Sequence, residues 1–169
     1  MAELIAYFSR AGENYFGGAL RKIQTGNTQI AAEMLQKITG AELFRIEPVL
    51  EYAEGYNECI AQAQDDQKRD ARPELKESPD SLDAYDTVYL GYPNYWGTMP
   101  MPVFTFLEHF DFSGKVIRPF CTHEGSGMGR SEADIRRICP DAVVKKGLAV
   151  RGSAVKDAEE ELRKWSSGQ

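Results

Sequence analysis

Residues 87–97 read TVYLGYPNYWG, a short apolar run that passes directly into a loop of proline, glycine and large aromatic residues. Such a run is typical of a strand that is buried on both faces, as the strands of parallel sheets are. Residues 4–8, LIAYF, form a similar run near the start of the chain, and a polar loop follows it. Buried strands that end in loops of unusual composition indicate an α/β protein whose loops carry the function.

Strand-like and helical segments alternate along the chain. The predicted strands are residues 4–8, 43–46, 87–91, 115–121 and 142–150. A helical pattern follows each strand, although residues 50–80 are mostly polar and hold one plausible helix at about residues 55–69. This alternation predicts a five-stranded parallel sheet covered by helices, a three-layer α/β/α sandwich. Pro119 indicates that the fourth strand is distorted or that the proline lies late in it. Because no linker or repeat interrupts the pattern, residues 1–169 are predicted to form a single domain.

The composition narrows the classes of partner. The formal net charge is -6 and the isoelectric point is about 5.0, so nucleic acid and anionic membrane surfaces are disfavoured, whereas a basic protein partner is permitted. No apolar run approaches the roughly 20 residues that span a bilayer, and no signal peptide is predicted. The three cysteines form no CxxC motif, and two histidines do not make a zinc site. We therefore predict reduced thiols, a cytoplasmic location and no metal.

The loop after the first strand has the composition of a phosphate site. Its candidate residues are Ser9, Arg10, Ala11, Gly26, Asn27 and Thr28. The last three begin a predicted helix, where free N–H groups and the helix dipole favour an anion. The alternative is that Asn27 or Thr28 only caps the helix.

The loop after the third strand has the composition of a ring-binding site. Its candidate residues are Pro93, Asn94, Tyr95, Trp96, Gly97 and Thr98. Tyr95 or Trp96 is suited to stack on a planar ring, while the backbone nearby can bond to the polar edge of that ring. The alternative is that Trp96 folds back onto the core.

The loop after the fourth strand contains several glycines, which let a backbone approach a ligand closely. Its candidate residues are Thr122, His123, Glu124, Gly125, Ser126 and Gly127. The spacing is not that of a dinucleotide fingerprint, and the chain has no P-loop motif. His123 is either a proton donor to a bound ring or substrate or a local hydrogen-bonding group.

One ligand fits all three loops. In an open α/β sheet, ligands bind at the carboxyl ends of the strands, where the strand order reverses. A phosphate at one end, a planar ring at the other and a polar ring edge describe FMN. We therefore predict FMN as the cofactor and assign no catalytic residue.

These three loops, taken in order, resemble those of the flavodoxin family, and the resemblance covers nearly the whole chain. It implies the strand order 2-1-3-4-5 with FMN at the switch point, an arrangement for which flavodoxin is the standard example. It also implies that Ser9, Arg10, Asn27 and Thr28 hold the phosphate. Tyr95 or Trp96 would stack on the isoalloxazine, and the backbone near Gly97 would meet its N5 edge, where a peptide could reorient on reduction.

One segment departs from the family pattern. Residues 11–25 are inserted between Arg10 and Gly26, where the family has a compact loop. The insertion could form a lid over FMN, a substrate pocket or a dimer contact.

Three functions are compatible with these residues. The first is an electron carrier between redox protein partners, which the lack of a nicotinamide motif favours. The second is an FMN-dependent NAD(P)H reductase of quinones or similar small acceptors. The third is a binding or signalling module without flavin, but a receiver domain would carry acidic residues where Ser9 and Arg10 stand. The sequence indicates neither the redox partner nor the oligomeric state.

Overall fold

The computed structural model describes residues 2–168. Its strands are β1 (Ala2–Tyr7), β2 (Gly12–Phe16), β3 (Ala19–Ile23), β4 (Glu42–Arg45), β5 (Tyr85–Pro93), β6 (Val116–His123), β7 (Val143–Val144) and β8 (Leu148–Arg151). Its helices are α1 (Asn27–Thr39), α2 (Tyr56–Lys68), α3 (Met101–His109), α4 (Ser131–Ile138) and α5 (Glu159–Ser166), with a 3-10 helix (Gly152–Asp157) before α5. The alternation follows the sequence pattern except at β2 and β3, which lie within the inserted segment.

The main sheet has the predicted order. Its strands run β4-β1-β5-β6, and β7 and β8 share the outer position beside β6. Every pairing in this sheet is parallel. Counted along the chain without the inserted hairpin, the order is 2-1-3-4-5, so the predicted flavodoxin-like sandwich is confirmed.

Pro119 accounts for the division of the outer strand into β7 and β8. The Ile117 carbonyl accepts a hydrogen bond from the Lys145 N–H at 2.9 Å, so Ile117 faces the outer strand. Pro119, two residues further along β6, faces the same neighbour and has no N–H to offer it. Pairing resumes only at Phe120 with Leu148. The proline thus lies inside β6, and the distortion predicted from it falls mainly on the adjacent strand.

The sheet is buried on both faces because successive side chains of each strand point to opposite sides. Ile5 and Tyr89 pack with Leu35 of α1 and Leu162 of α5 in one cluster. The other cluster contains the alternate strand residues together with side chains of α3 and α4; its members include Leu4, Ala6, Val88, Leu90, Phe106, Leu107 and Ile135. This double burial explains why the strands read as continuous apolar runs.

The inserted segment folds as an antiparallel hairpin of β2 and β3. Gly17 and Gly18 form its turn, with φ angles of 65° and 90°. Two consecutive positive φ values match the twist of a tight hairpin, and glycine adopts them without steric cost. The hairpin lies outside the main sheet, at the edge where β1 ends.

The pairing of Gly91 with Phe120 supports a test of this packing. The two residues are partners in the β5–β6 register, and a Cβ at position 91 would lie 2.3 Å from Phe120 Cζ. We expect Gly91→Ala to lower the free energy of unfolding by about 1–3 kcal/mol, because the ring cannot move within a close-packed core. Chemical denaturation measures this change. Gly91→Ala combined with Phe120→Leu should recover part of the loss, and a fully stable Gly91→Ala variant would contradict the packing described.

Candidate functional site

The carboxyl ends of β1, β5 and β6 lie at one edge of the sheet, and a cavity of about 390 Å³ opens there. Its volume falls within the range of about 300–1,000 Å³ that is typical of small-molecule sites. The predicted site residues that line it are Asn27, Pro93, Asn94, Tyr95, Trp96, Gly97, Thr122, His123, Glu124 and Ser126. All three predicted loops therefore contribute to one cavity.

Other predicted residues lie elsewhere. Gly26, Thr28 and Thr98 are buried, while Gly125 and Gly127 belong to the β6–α4 loop beside the cavity. Ser9, Arg10 and Ala11 line a second cavity of about 780 Å³, between the base of the hairpin and the loop that joins β4 to α2. The first loop is therefore divided between the two cavities.

The Arg10 side chain fastens the hairpin. Its guanidinium donates to the carbonyl oxygens of Glu13 at 2.5 Å and Ala53 at 2.9 Å, and also to that of Glu54. These carbonyls belong to β2 and to the segment before α2. The structure therefore does not bring the Arg10 guanidinium to the 390 Å³ cavity, although the sequence suggested a phosphate contact for it.

Asn27 brings the start of α1 to the cavity wall, and the helix start carries unused hydrogen-bonding groups. The first N–H groups of a helix have no acceptor within it, and among residues 2–168 the N–H groups of Asn27 and Thr28 have no protein acceptor. The amide oxygen Oδ1 of Asn27 is buried and has no partner among the same residues. A buried polar atom without a partner is rare in folded proteins, so Asn27 Oδ1 is an acceptor that a ligand or a water molecule can use.

Gly26 brings the start of α1 against the end of β1. A Cβ at position 26 would lie 2.1 Å from Ser9 Oγ and 2.8 Å from the Arg10 carbonyl oxygen. Ser9 Oγ in turn accepts the N–H of Gln29 at 3.0 Å, so Ser9 satisfies a donor in the first turn of the helix. The role of helix cap thus falls to Ser9 rather than to Asn27 or Thr28.

A buried hydroxyl pair joins α1 to β6. Thr28 Oγ1 and Thr122 Oγ1 lie 2.7 Å apart, and the two residues are 1% and 3% exposed. Both hydroxyls are therefore engaged with each other. This contact fixes the helix start relative to the end of β6.

Tyr95 and Trp96 differ sharply in environment. The Tyr95 ring packs edge to face against Phe8 and Tyr52, and burial raises the pKa of its hydroxyl well above the usual range. Trp96 has a φ of 54° and is 43% exposed, and its indole N–H donates to the Ile60 carbonyl at 2.7 Å. The indole is therefore held against α2 at the cavity wall, whereas the tyrosine belongs to the packing beneath it.

Asn94 joins the two loops that were predicted to hold a ring. Its Nδ2 donates to the Gly127 carbonyl at 2.8 Å, and its Oδ1 accepts the N–H of Gly97 at 2.9 Å. On the far side, the Trp96 carbonyl accepts from Arg130 at 3.3 Å and from Gln67 at 3.4 Å. The peptide between Trp96 and Gly97 is therefore bonded at both its oxygen and its nitrogen.

His123 presents one defined donor. Its Nδ1 accepts the N–H of Gly125 at 2.8 Å, so the neutral ring carries its proton on Nε2. Burial lowers the pKa of His123 from its usual value, Arg151 lowers it further, and Glu124 opposes both. The lowered pKa favours the neutral imidazole, which lines the cavity and carries its donor at Nε2.

Glu124 connects the β6–α4 loop to the tip of the hairpin. Its Oε1 accepts the N–H of Gly17 at 3.4 Å, and its Oε2 accepts the Ser153 hydroxyl at 3.3 Å. Arg151 lies 3.7 Å from the same carboxylate, whose side chain is 19% exposed. The acidic residue thus acts as a contact point for three segments.

The sequence leaves a lid, a substrate pocket or a dimer contact open for the insertion and does not identify α2 as part of the site. Together the hairpin and α2 form one wall of the cavity. Its members are Asn14, Tyr15, Tyr56, Ile60 and Ala63. The last three recur at spacings of four and three, which is one face of a helix. The Tyr15 and Tyr56 rings meet edge to face with centroids 5.4 Å apart, and Glu13 Oε1 accepts the Tyr56 N–H at 2.8 Å. The signal available in the sequence was this spacing together with the Gly17–Gly18 turn.

Residues 3–168 match the family model described as flavodoxin. The chain belongs to the flavodoxin family. Membership confirms the predicted family, and with it FMN as the cofactor; the assignment of individual residues to FMN stays a prediction.

Solved structures agree with this membership. A proposed flavoprotein from Bacteroides eggerthii is 27% identical with a TM-score of 0.73, over 95% of this chain and 97% of that one. Another from Bacteroides uniformis is 26% identical with a TM-score of 0.74, over 98% and 97%. A Lactobacillus acidophilus flavoprotein in complex with FMN is 18% identical with a TM-score of 0.65, over 92% and 97%, and shares the fold. No curated protein matches this flavodoxin-family chain.

The structure of this flavodoxin-family protein also bears on the sequence predictions about metal ions and membranes. Across residues 2–168, no group of three or more histidine, cysteine, aspartate or glutamate side chains is arranged to hold a metal ion. Within the same part of the chain, no helix has the length and apolar character needed to cross a membrane.

The hydroxyl pair beneath the cavity can be tested by a double-mutant cycle. We expect Thr28→Val or Thr122→Val alone to lower the free energy of unfolding by about 1–3 kcal/mol, because each leaves one buried hydroxyl without a partner. The double variant should be less destabilised than the sum of the two, since apolar groups of the same shape then face each other. Strict additivity of the two losses would show that the hydroxyls do not bond to each other.

Proposed function

We propose that FMN binds in the 390 Å³ cavity and that this flavodoxin-family protein transfers electrons to and from a redox protein partner. One observation supports this assignment above all. The cavity joins the unsatisfied groups of Asn27 at the start of α1 to the exposed indole of Trp96. A molecule with an anionic end and a planar end fits that arrangement.

The helix start would hold the phosphate end. The free N–H groups of Asn27 and Thr28 and the positive end of the α1 dipole favour a phosphate. The buried Asn27 Oδ1 is an acceptor, so it suits a hydroxyl donor of the ribityl chain rather than the phosphate itself. Asn27 therefore contributes its backbone to one part of FMN and its side chain to the next.

The two loops after β5 and β6 would hold the ring. Trp96 is the stacking residue in this proposal, since its indole lies at the cavity wall while the Tyr95 ring packs against Phe8 and Tyr52. His123 would donate from Nε2 to the polar edge of the ring. Asn94 bonds to both loops and so keeps them at a fixed separation. It would orient the flavin ring through these loops and would not itself take part in electron transfer.

FMN, when bound, supplies the one- or two-electron chemistry. The chain's own residues bind and orient it and exclude water from one side. Glu124 and the hairpin tip close the end of the cavity near the β6–α4 loop through the Gly17 N–H. The neutral His123 adds a donor without adding charge.

A basic protein surface is the partner that the charge favours. The chain has a formal net charge of -6, and Glu58 is exposed two residues beyond Tyr56 of the cavity wall. Attraction between opposite charges speeds the encounter of such partners and weakens with salt. The three buried cysteines are free thiols, which suits the proposed cytoplasmic location.

The proposal is tested by titrating the apoprotein with FMN and with riboflavin. We expect riboflavin to bind at least about tenfold more weakly, because it lacks the phosphate that the α1 N-terminus would hold. We expect Trp96→Leu to weaken both ligands equally, by about threefold to tenfold, because stacking on an aromatic ring contributes about 0.5–1.5 kcal/mol. Quenching of flavin fluorescence measures both affinities.

Trp96→Phe is the matched control, since it keeps a ring at the same position and should retain most of the affinity. Equal binding of FMN and riboflavin by the wild-type protein would exclude the phosphate site. Wild-type affinity in Trp96→Leu would exclude the indole as the stacking group.

A second candidate function is an FMN-dependent NAD(P)H reductase of quinones or similar small acceptors. The observation in its favour is that Asn14 and Tyr15 of the hairpin line the same cavity, next to Tyr56. An aromatic wall beside a flavin ring suits a planar acceptor.

Steady-state turnover of a quinone with NAD(P)H separates the two functions. A carrier should show no turnover unless a separate reductase is added, whereas a reductase should turn over alone. In the second case, Tyr15→Ala should raise the KM for the quinone several-fold with little loss of FMN, because it removes one face of the acceptor site. Tyr15→Phe is the control that keeps the ring.

A further inference from the structure

Arg45 connects the two halves of the divided first loop. It is the last residue of β4 and pairs with Tyr7 in the β1–β4 register. Its Nη2 donates to the Ser9 carbonyl at 3.1 Å, and its Nη1 donates to Oε1 of Gln29 at 2.8 Å. Ser9 lies before the hairpin and Gln29 lies after it, in the first turn of α1.

This connection matters because the hairpin separates the two halves along the chain. Residues 11–25 stand between Arg10 and Gly26, so a short loop does not fix the end of β1 relative to the start of α1. The Gln29 N–H to Ser9 Oγ bond supplies one link across the gap. The planar guanidinium of Arg45 supplies a second link, since one donor binds each half and the rigid group holds the two targets in a fixed relative position.

Arg45 lines the 780 Å³ cavity, and its charged guanidinium reaches the first turn of α1 through the Gln29 side chain. The Arg45 Nε is buried without a hydrogen-bond acceptor among residues 2–168, and the Glu47 carboxylate lies 4.0 Å from it. The side chain is 34% exposed, so solvent screens the positive charge only in part. Together with the helix dipole, this charge favours an anion at the helix start.

We propose that Arg45 is a positioning residue that sets the preference of the site for a phosphorylated flavin. It does so by bracing Ser9 and Gln29 and by placing a positive charge near the first turn of α1. The inference rests on the proposed function, since it assumes that the FMN phosphate lies at this helix start. If Arg45 only stabilised the fold, its loss would weaken the binding of FMN and riboflavin alike. A positioning role predicts a loss of FMN affinity alone.

The test compares FMN and riboflavin binding to apoprotein variants. We expect Arg45→Gln to lower the affinity for FMN about tenfold while changing that for riboflavin less than about twofold. Arg45→Lys keeps the charge but not the two-point brace, and we expect an FMN loss of about threefold with riboflavin unchanged. Arg136→Gln, at an exposed position of α4, removes the same charge elsewhere and should leave both affinities unchanged.

Salt and inorganic phosphate give a second readout. Raising the ionic strength should reduce the FMN preference of the wild-type protein more than that of Arg45→Gln. Inorganic phosphate should raise the thermal unfolding temperature of the wild-type apoprotein more than that of the variant. If Arg45→Gln does not fold, the FMN and riboflavin affinities of Arg45→Lys decide the question.

Equal losses for FMN and riboflavin, or no loss of either, would overturn the role of Arg45 while leaving the phosphate site intact. A wild-type protein that binds both flavins equally would overturn the phosphate site itself and this inference with it. The ratio of FMN affinity to riboflavin affinity in the wild-type protein therefore distinguishes the two failures.

Discussion

The contact of Gly26 with the end of β1 is the constraint on which the site depends. The space that a side chain would need at position 26 is already occupied by Ser9 Oγ and the Arg10 carbonyl. Because the backbone can approach so closely, α1 begins directly against the end of β1, although a hairpin leaves and returns between them. The N–H groups of Asn27 and Thr28 and the buried Asn27 amide oxygen owe their position to this approach.

Local patterns in the sequence were sufficient for the sheet order, the layers and the convergence of three loops. They sufficed because buried parallel strands read as apolar runs and their carboxyl ends must share one edge. Side-chain direction was not predictable in the same way. The Trp96 indole bonds to the Ile60 carbonyl of α2, whereas Tyr95 packs against Phe8 and Tyr52, and all these partners are distant in sequence. The destination of the Arg10 guanidinium likewise depends on the path of the hairpin.

The hairpin itself was within reach of sequence reasoning. Two glycines between short runs that contain aromatic and apolar residues are a recognised hairpin pattern, and residues 11–25 carry it. What the sequence could not supply is where the hairpin lies. Its position follows from scattered contacts, such as Glu13 with the Tyr56 N–H and Gly17 with Glu124, whose members are 43 and 107 residues apart.

The meeting of the hairpin's two ends has a consequence for how such a protein can change. A Cβ at Gly26 would lie 2.9 Å from the Arg10 carbonyl carbon, so the chain leaves and re-enters the sandwich at nearly one point. A segment with this geometry is modular: it can be lengthened, exchanged or excised, and the main sheet keeps its strand order. Because Asn14 and Tyr15 of this segment also line the cavity, such an exchange would alter one wall of the site while the sheet beneath it stays the same, and a grafted loop at this junction is a natural starting point for engineering.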